Sequence, residues 1–205
     1  MKKIIFIVLS FFLFSVNAMA SNIQVGKKLP EIQVKSDGLL VPDYEIKDNK
    51  MVFKKDGDIH FTEWNSTSCS GRVKCIYHLA ARNGIDEINK PFIDALIKAN
   101  LPEKLPDSPY KTITILNLDD ALWGTSSIAK SRFKKSQKKF SFAYYVADED
   151  GVAQKEWGLK KNNSAVIILD QNDKVLFFKE GKLTPKEINK AVTLIKDSLK
   201  NNSNS

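Results

Sequence analysis

The stretch that most constrains this chain is Gly71 to Leu96, GRVKCIYHLAARNGIDEINKPFIDAL. It opens on a nearly unbroken apolar run, Val73 to Ala81, interrupted only by Lys74 and His78. A half-exposed strand alternates, so a run of this kind suits a central strand covered on both faces. Arg82-Asn83-Gly84 breaks the run, after which Ile85, Ile88, Phe92 and Leu96 fall on one helical stripe. Strand, short polar turn and helix make half of a βαβ unit.

The start of the chain is of a different kind. Met1-Lys2-Lys3 is charged, Ile4 to Val16 is mostly apolar, and Ala18-Met19-Ala20 is a small-x-small site, the pattern of an export signal cleaved after Ala20. The apolar core is too short for a membrane span. The residue directly after the cleavage site is Ser21 and not cysteine, and no later segment is long and apolar enough to cross a bilayer. The expected organisation is a signal over 1–20, one domain over 21–200 and a polar tail over 201–205. Without Lys2 and Lys3, the 32 basic residues become 30 against 24 acidic ones. Only Arg72, Arg82 and Arg132 are arginine, and phosphate clamps lean on arginine, so a nucleic-acid reader is excluded on composition as well as on export.

Along the rest of the chain, turn residues between Lys35 and Asp58 predict a β-hairpin, Leu39 to Tyr44 against Met51 to Phe53. His60 to Ser70 reads as a polar segment holding Trp64 and Cys69. Strands are expected at Tyr110–Asn117 and Ser141–Val146, with a helix between them over Thr125–Lys139. A short helix follows over Val152–Leu159. Ser164–Leu169 and Lys174–Lys179 form a hairpin across Asp170-Gln171-Asn172-Asp173. Thr184-Pro185-Lys186-Glu187 is a capping box with proline at the first helical position, and it starts a helix with the stripe Ile188, Ala191, Val192, Ile195, Leu199.

This order, with Gly71, Val73, Ala80, the positive charge of Arg72 and the helix proline Pro91, resembles the thioredoxin fold in its extracytoplasmic thiol-oxidoreductase branch. The resemblance implies a single α/β domain: a thioredoxin-like central mixed sheet flanked by helices, here with an N-terminal β-hairpin extension, and it implies a short helical turn within His60 to Ser70 before the central strand. It also exposes two departures. Asn83 and Asp86 stand where the branch carries its two Cys-x-x-Cys cysteines, and Ser164 stands where it carries a cis-proline. Asn83 and Asp86 cannot exchange disulfides; short polar side chains at a helix start are expected to act as caps. A cis bond at a non-proline costs about 3 kcal/mol, so Asn163–Ser164 is expected trans. The Trp64-Asn65-Ser66 segment, His78, the Arg82 turn, the Asp119-Asp120 loop, Ser164-Ala165-Val166 and Leu183 to Glu187 resemble the YtfJ family of small exported bacterial proteins. That resemblance implies a fold and the periplasm, not a mechanism.

Three sets of residues are candidates for chemistry. Cys69 and Cys75 are the only cysteines, and in an oxidising compartment three readings stay open: a structural disulfide, two buried thiols, or a redox pair. His78, Arg82, Asn83 and Asp86, with Ser164 opposite, are expected around the strand-end crevice where open α/β sheets place their sites. The competing reading there is a hydrogen-bonded core histidine and a solvated arginine. The lysine-rich run Lys130 to Lys139 is either a solvated helix face or a contact for anionic lipid or an acidic partner. With only His60 and His78 and no ligand spacing, neither a metal nor another cofactor is expected. The leading expectation is a non-redox binding or accessory module for a periplasmic protein or small ligand, leaning away from an enzyme. The alternative is a divergent thiol-disulfide oxidoreductase using Cys69 and Cys75.

Overall fold

The structure is a computed structural model that describes residues 21–54 and 57–202; the expected export signal lies outside it. The first strand, β1 (Gln33–Pro42), is long. Leu39 to Pro42, expected in a local hairpin, pair instead with Ile59 to Thr62, and Leu39 also pairs with Val146. The hairpin therefore moves downstream, to β2 (Tyr44–Lys47) against β3 (Lys50–Phe53). Asp48 and Asn49, with φ of 48° and 57°, make its two-residue turn, the pair of left-handed residues that a twisted hairpin requires. In β1, Gly38 sits at φ 74° where the register slips, and a Cβ there would lie 2.3 Å from the Thr62 carbonyl oxygen. Only glycine fits this close approach.

The segment expected to hold a helical turn is a strand as far as Asn65: β4 (Ile59–Asn65). Turns over Ser66 to Gly71 lead to β5 (Val73–Ala80), all eight of whose residues are buried, as its composition predicts. The helix expected next is split into α1 (Ile85–Ile88) and α2 (Lys90–Ala99), with Asn89 between them. Then come β6 (Tyr110–Asn117), α3 (Ser126–Lys139), β7 (Tyr144–Asp148) and α4 (Val152–Trp157). The third expected strand begins at Tyr144 rather than Ser141 because Gln137 Nε2 takes the carbonyls of Ser141 and Ala143, at 3.4 and 3.2 Å. β8 (Ser164–Leu169) and β9 (Val175–Glu180) form the expected hairpin, and α5 (Pro185–Asn202) the last helix. The capping box is formed: Glu187 N–H donates to Thr184 Oγ1 at 3.3 Å, and Thr184 N–H donates to Glu187 Oε2 at 2.7 Å. Asn201 and Asn202, expected in the tail, extend α5.

The sheet order is β4-β1-β7-β6-β5-β8-β9, with β7, β6 and β5 parallel and the outer pairings antiparallel. Alternation along β5 sorts the two cores. Val73, Cys75, Tyr77 and Leu79 face α2, α3 and α5 through Phe92, Leu96, Phe133, Ala191 and Ile195. Ile76 faces the other layer, formed by α4 (Ala153, Trp157) and the N-terminal segment Ile23 to Ile32. The molecule is thus one α/β domain with a mixed sheet flanked by helices. No helix among the described residues is long and apolar enough to cross a membrane.

The lysine run of α3 is largely engaged. Lys130 pairs with Asp37 and Glu149 at 2.5 and 2.6 Å. Lys134 and Lys138 lie over the rings of Phe61 and Phe53, 4.7 and 5.0 Å from their centroids, so their stems cover apolar surface while the ammonium groups reach water.

Candidate functional site

The parallel strands end together: Ala80 pairs with Asn117, and Asn117 with Asp148. A polar network closes this end of the sheet. Asp120 Oδ2 accepts from Asn117 Nδ2 at 3.2 Å and from the Asn162 N–H at 3.0 Å. Asn117 Oδ1 accepts the Asp119 N–H at 3.1 Å. Asp148 accepts the N–H groups of Val152 and Ala153, at 2.9 and 2.8 Å, and so caps α4 from the end of β7. Burial pushes the Asp148 carboxyl up, and those N–H donors hold the rise back. Asp120 thus ties the end of β6 to Asn162, 42 residues further along the chain.

The five expected crevice residues do not converge. In register with Ala165 and Ile115, both of the α4-side core, His78 points to that layer. Ser164 pairs with Leu79 and faces the α2/α5 layer, on the opposite side of the sheet. His78 is 1% exposed, its Nε2 has no hydrogen-bond partner, and burial lowers its pKa to about 4, so the ring is neutral at pH 7. The expectation of a hydrogen-bonded core histidine is half right: it is core, and that nitrogen is unbonded. Arg82 is half-buried at the strand end; its Nε has no partner, and among the described residues no carboxylate lies within ion-pair distance of it. Asn83 and Asp86 are exposed. They do not cap the helix: Gly84, at φ 81°, takes the cap position of α1 with no side-chain bond.

Ser164 instead serves a joint that sequence reasoning missed. Asn89, 1% exposed, donates through Nδ2 to Ser164 Oγ at 3.2 Å and to the Gly181 carbonyl at 2.9 Å, and accepts the Leu183 N–H at 2.9 Å. One amide therefore splits the helix and ties the break to the start of β8 and the approach to α5. An asparagine inside a helical pattern ahead of a proline is the sequence signal that was available. No peptide bond among the described residues is cis, Asn163–Ser164 included.

Cys69 and Cys75 are free thiols, 2% and 0% exposed. The disulfide left open by the sequence is absent for a geometric reason: Cys75 belongs to the α2/α5 core and Cys69 to the α4-side core. Burial pushes both thiols up, away from the thiolate that exchange chemistry needs. At the opposite end of β5, Lys74 is fully buried and pairs with Asp173, which also accepts from Ser70 Oγ at 2.5 Å. Among the described residues no group of three or more His, Cys, Asp or Glu side chains is placed to hold a metal ion.

A family model described as a bacterial protein of unknown function (YtfJ_HI0045) matches residues 23–198. The chain belongs to the YtfJ family. It is 32% identical over 196 residues to an uncharacterized protein of Haemophilus influenzae, covering 95% of this chain and 97% of that one. To the uncharacterized protein YtfJ of Escherichia coli it is 32% identical over 183 residues, 89% and 91% of the two chains. Among solved structures it resembles a proposed thiol:disulfide interchange protein DsbE from Chlorobium tepidum, with a TM-score of 0.52, 16% identity and coverage of 86% and 99%. It also resembles Mycobacterium tuberculosis AhpC, with a TM-score of 0.51, 13% identity and coverage of 87% and 98%. At such identities these likenesses show the thioredoxin-like fold alone. This YtfJ-family chain keeps that scaffold with no cysteine at the strand-end turn.

Proposed function

We propose that this YtfJ-family protein is exported to the periplasm and works there as a non-redox binding or accessory module. One observation carries the reading. The strand-end turn presents Arg82, Asn83 and Asp86 and no thiol, while the two thiols lie buried in separate cores. Attack on a disulfide needs an accessible thiolate, and neither cysteine reaches solvent from where it sits. Export is supported by the charged start, apolar core and Ala18-Met19-Ala20 site. The strand-end surface supports binding: Arg82 is free of any carboxylate partner among the described residues, and on the loop that leaves this same end Trp123 is 101% exposed and Leu122 52%.

Periplasmic protein purified without reductant tests the reading. Alkylation in native buffer should label neither cysteine, and alkylation in urea should label both. Insulin reduction should stay at the uncatalysed rate, and the mature chain should begin at Ser21. A midpoint between about −270 and −120 mV in a dithiothreitol titration would instead restore the oxidoreductase reading.

A further inference from the structure

On the α2 side of the sheet lies a cavity of about 310 Å³, away from the strand-end turn. Leu96 and Ile97 of α2 and Phe140 and Phe142 beyond α3 form its apolar walls, and Tyr110, Thr112 and Thr114 of β6 its floor. The cause of the cavity is local. Alternation turns these three β6 residues to the same side, and two short threonines stand where larger residues would fill the space under α2.

Glu103 opens into this cavity and is 8% exposed. Its carboxylate accepts from the Thr112 N–H at 2.5 Å and from Thr112 Oγ1 at 3.0 Å, and the Tyr110 hydroxyl lies 3.1 Å from that Oγ1. The β6–β7 ladder begins only at Ile113, so Glu103 fills the place of a missing strand for Thr112. That task needs an acceptor and not a charge: glutamine would do it without the desolvation a buried carboxylate suffers. Yet among the described residues no cation stands within ion-pair distance of Glu103. The buried Lys111 donates to the Phe142 carbonyl at 2.9 Å and lies over the Tyr144 ring. Lys104, at the opening, is exposed. A buried carboxyl group is thus held at the edge of an apolar hollow, and Lys111, the cation that acts on it, does so from beyond ion-pair distance, leaving the carboxyl with no direct cationic partner.

We propose that this cavity binds a small hydrophobic primary amine, its apolar body between α2 and Phe140/Phe142 and its ammonium on the Glu103 carboxylate. An apolar cavity of about 150 Å³ holds benzene, so this one suits a two-ring body. The ammonium supplies the direct cationic partner, in a charge-assisted hydrogen bond, that Lys111 does not reach to give. The β2–β3 hairpin braces both sides of the site. The Met51 N–H donates to the Lys104 carbonyl at 3.0 Å, and Ser141 Oγ donates to the Met51 carbonyl at 3.2 Å. This inference stands apart from the non-redox reading, since it concerns a different surface and a ligand instead of a thiol.

Calorimetric titration of the mature protein with 1-naphthylmethylamine, 1-naphthylmethanol and 1-naphthylacetate separates the possibilities. The amine should bind about tenfold or more tightly than the alcohol, and the carboxylate not at all. Glu103→Gln keeps an acceptor for Thr112 and should bring amine and alcohol to equal affinity. Ile97→Trp, at a position 61% exposed beside the opening, should weaken both while leaving the fold intact. Equal binding of amine and alcohol by the parent protein, amine binding indifferent to Glu103→Gln, or no binding of any probe would each overturn the proposal.

Discussion

At the scale of single residues, His78 and Glu103 tilt the acid stability of the domain in opposite directions. His78 titrates near 4 in the fold against 6.5 when exposed. The unfolded chain therefore binds more protons between those values, and the stability His78 contributes is full above about 6.5 and lost as pH falls toward 4. Burial raises Glu103 to about 7 from 4.5. Here the folded chain binds more protons, so stability falls as pH rises from about 4.5 through 7. Urea midpoints at pH 4.5 and 6.5 should separate them: His78→Leu should make stability rise less with pH, and Glu103→Gln should make it rise more. Changes of the same sign in both variants would refute the assignment. Neither effect was legible from the chain. His78 was a conspicuous polar residue in an apolar run, but which face it joined depended on register, and Glu103 was one charge among many.

At the scale of elements, agreement was best where local signals were strong and self-contained. β6, β8 and the start of α5 fall where apolar runs and the Thr184 capping box place them. β1 and β4 were misread because each is made a strand by the other, across separations from 17 residues (Pro42 with Ile59) to 32 (Gln33 with Asn65), and pairing at that range leaves little mark on either segment alone. The split between α1 and α2 was missed for a related reason: Asn89 interrupts the helix in favour of partners at Ser164, Gly181 and Leu183. Asn89→Ala should cost about 2–4 kcal/mol, since several buried groups lose their only side-chain partner. It should also raise hydrogen exchange at the Leu183 amide well above that at Ile195. Unchanged protection at Leu183 would mean that the joint is held by packing alone.

For the whole molecule, the β2–β3 hairpin is an appendage with a task and not part of the fold. It forms its own sheet, and the Asp43 N–H closes its base on the Asp58 carbonyl at 3.0 Å. Replacing residues 44–57 by a short turn should leave near-UV circular dichroism and two-state urea unfolding in place while weakening naphthylmethylamine binding about tenfold or more. Loss of cooperative unfolding would show the hairpin to be integral. The sequence by itself determined the α/β class, the buried central strand and the lack of a dithiol at the helix start, because apolar periodicity, caps and missing residue types are local properties. Tertiary structure alone decided that His78 and Ser164 lie on opposite faces, that Cys69 and Cys75 cannot meet, and that Glu103 opens into a cavity. Those outcomes depend on strand register and layer, and a shift of one residue would reverse each side of the sheet.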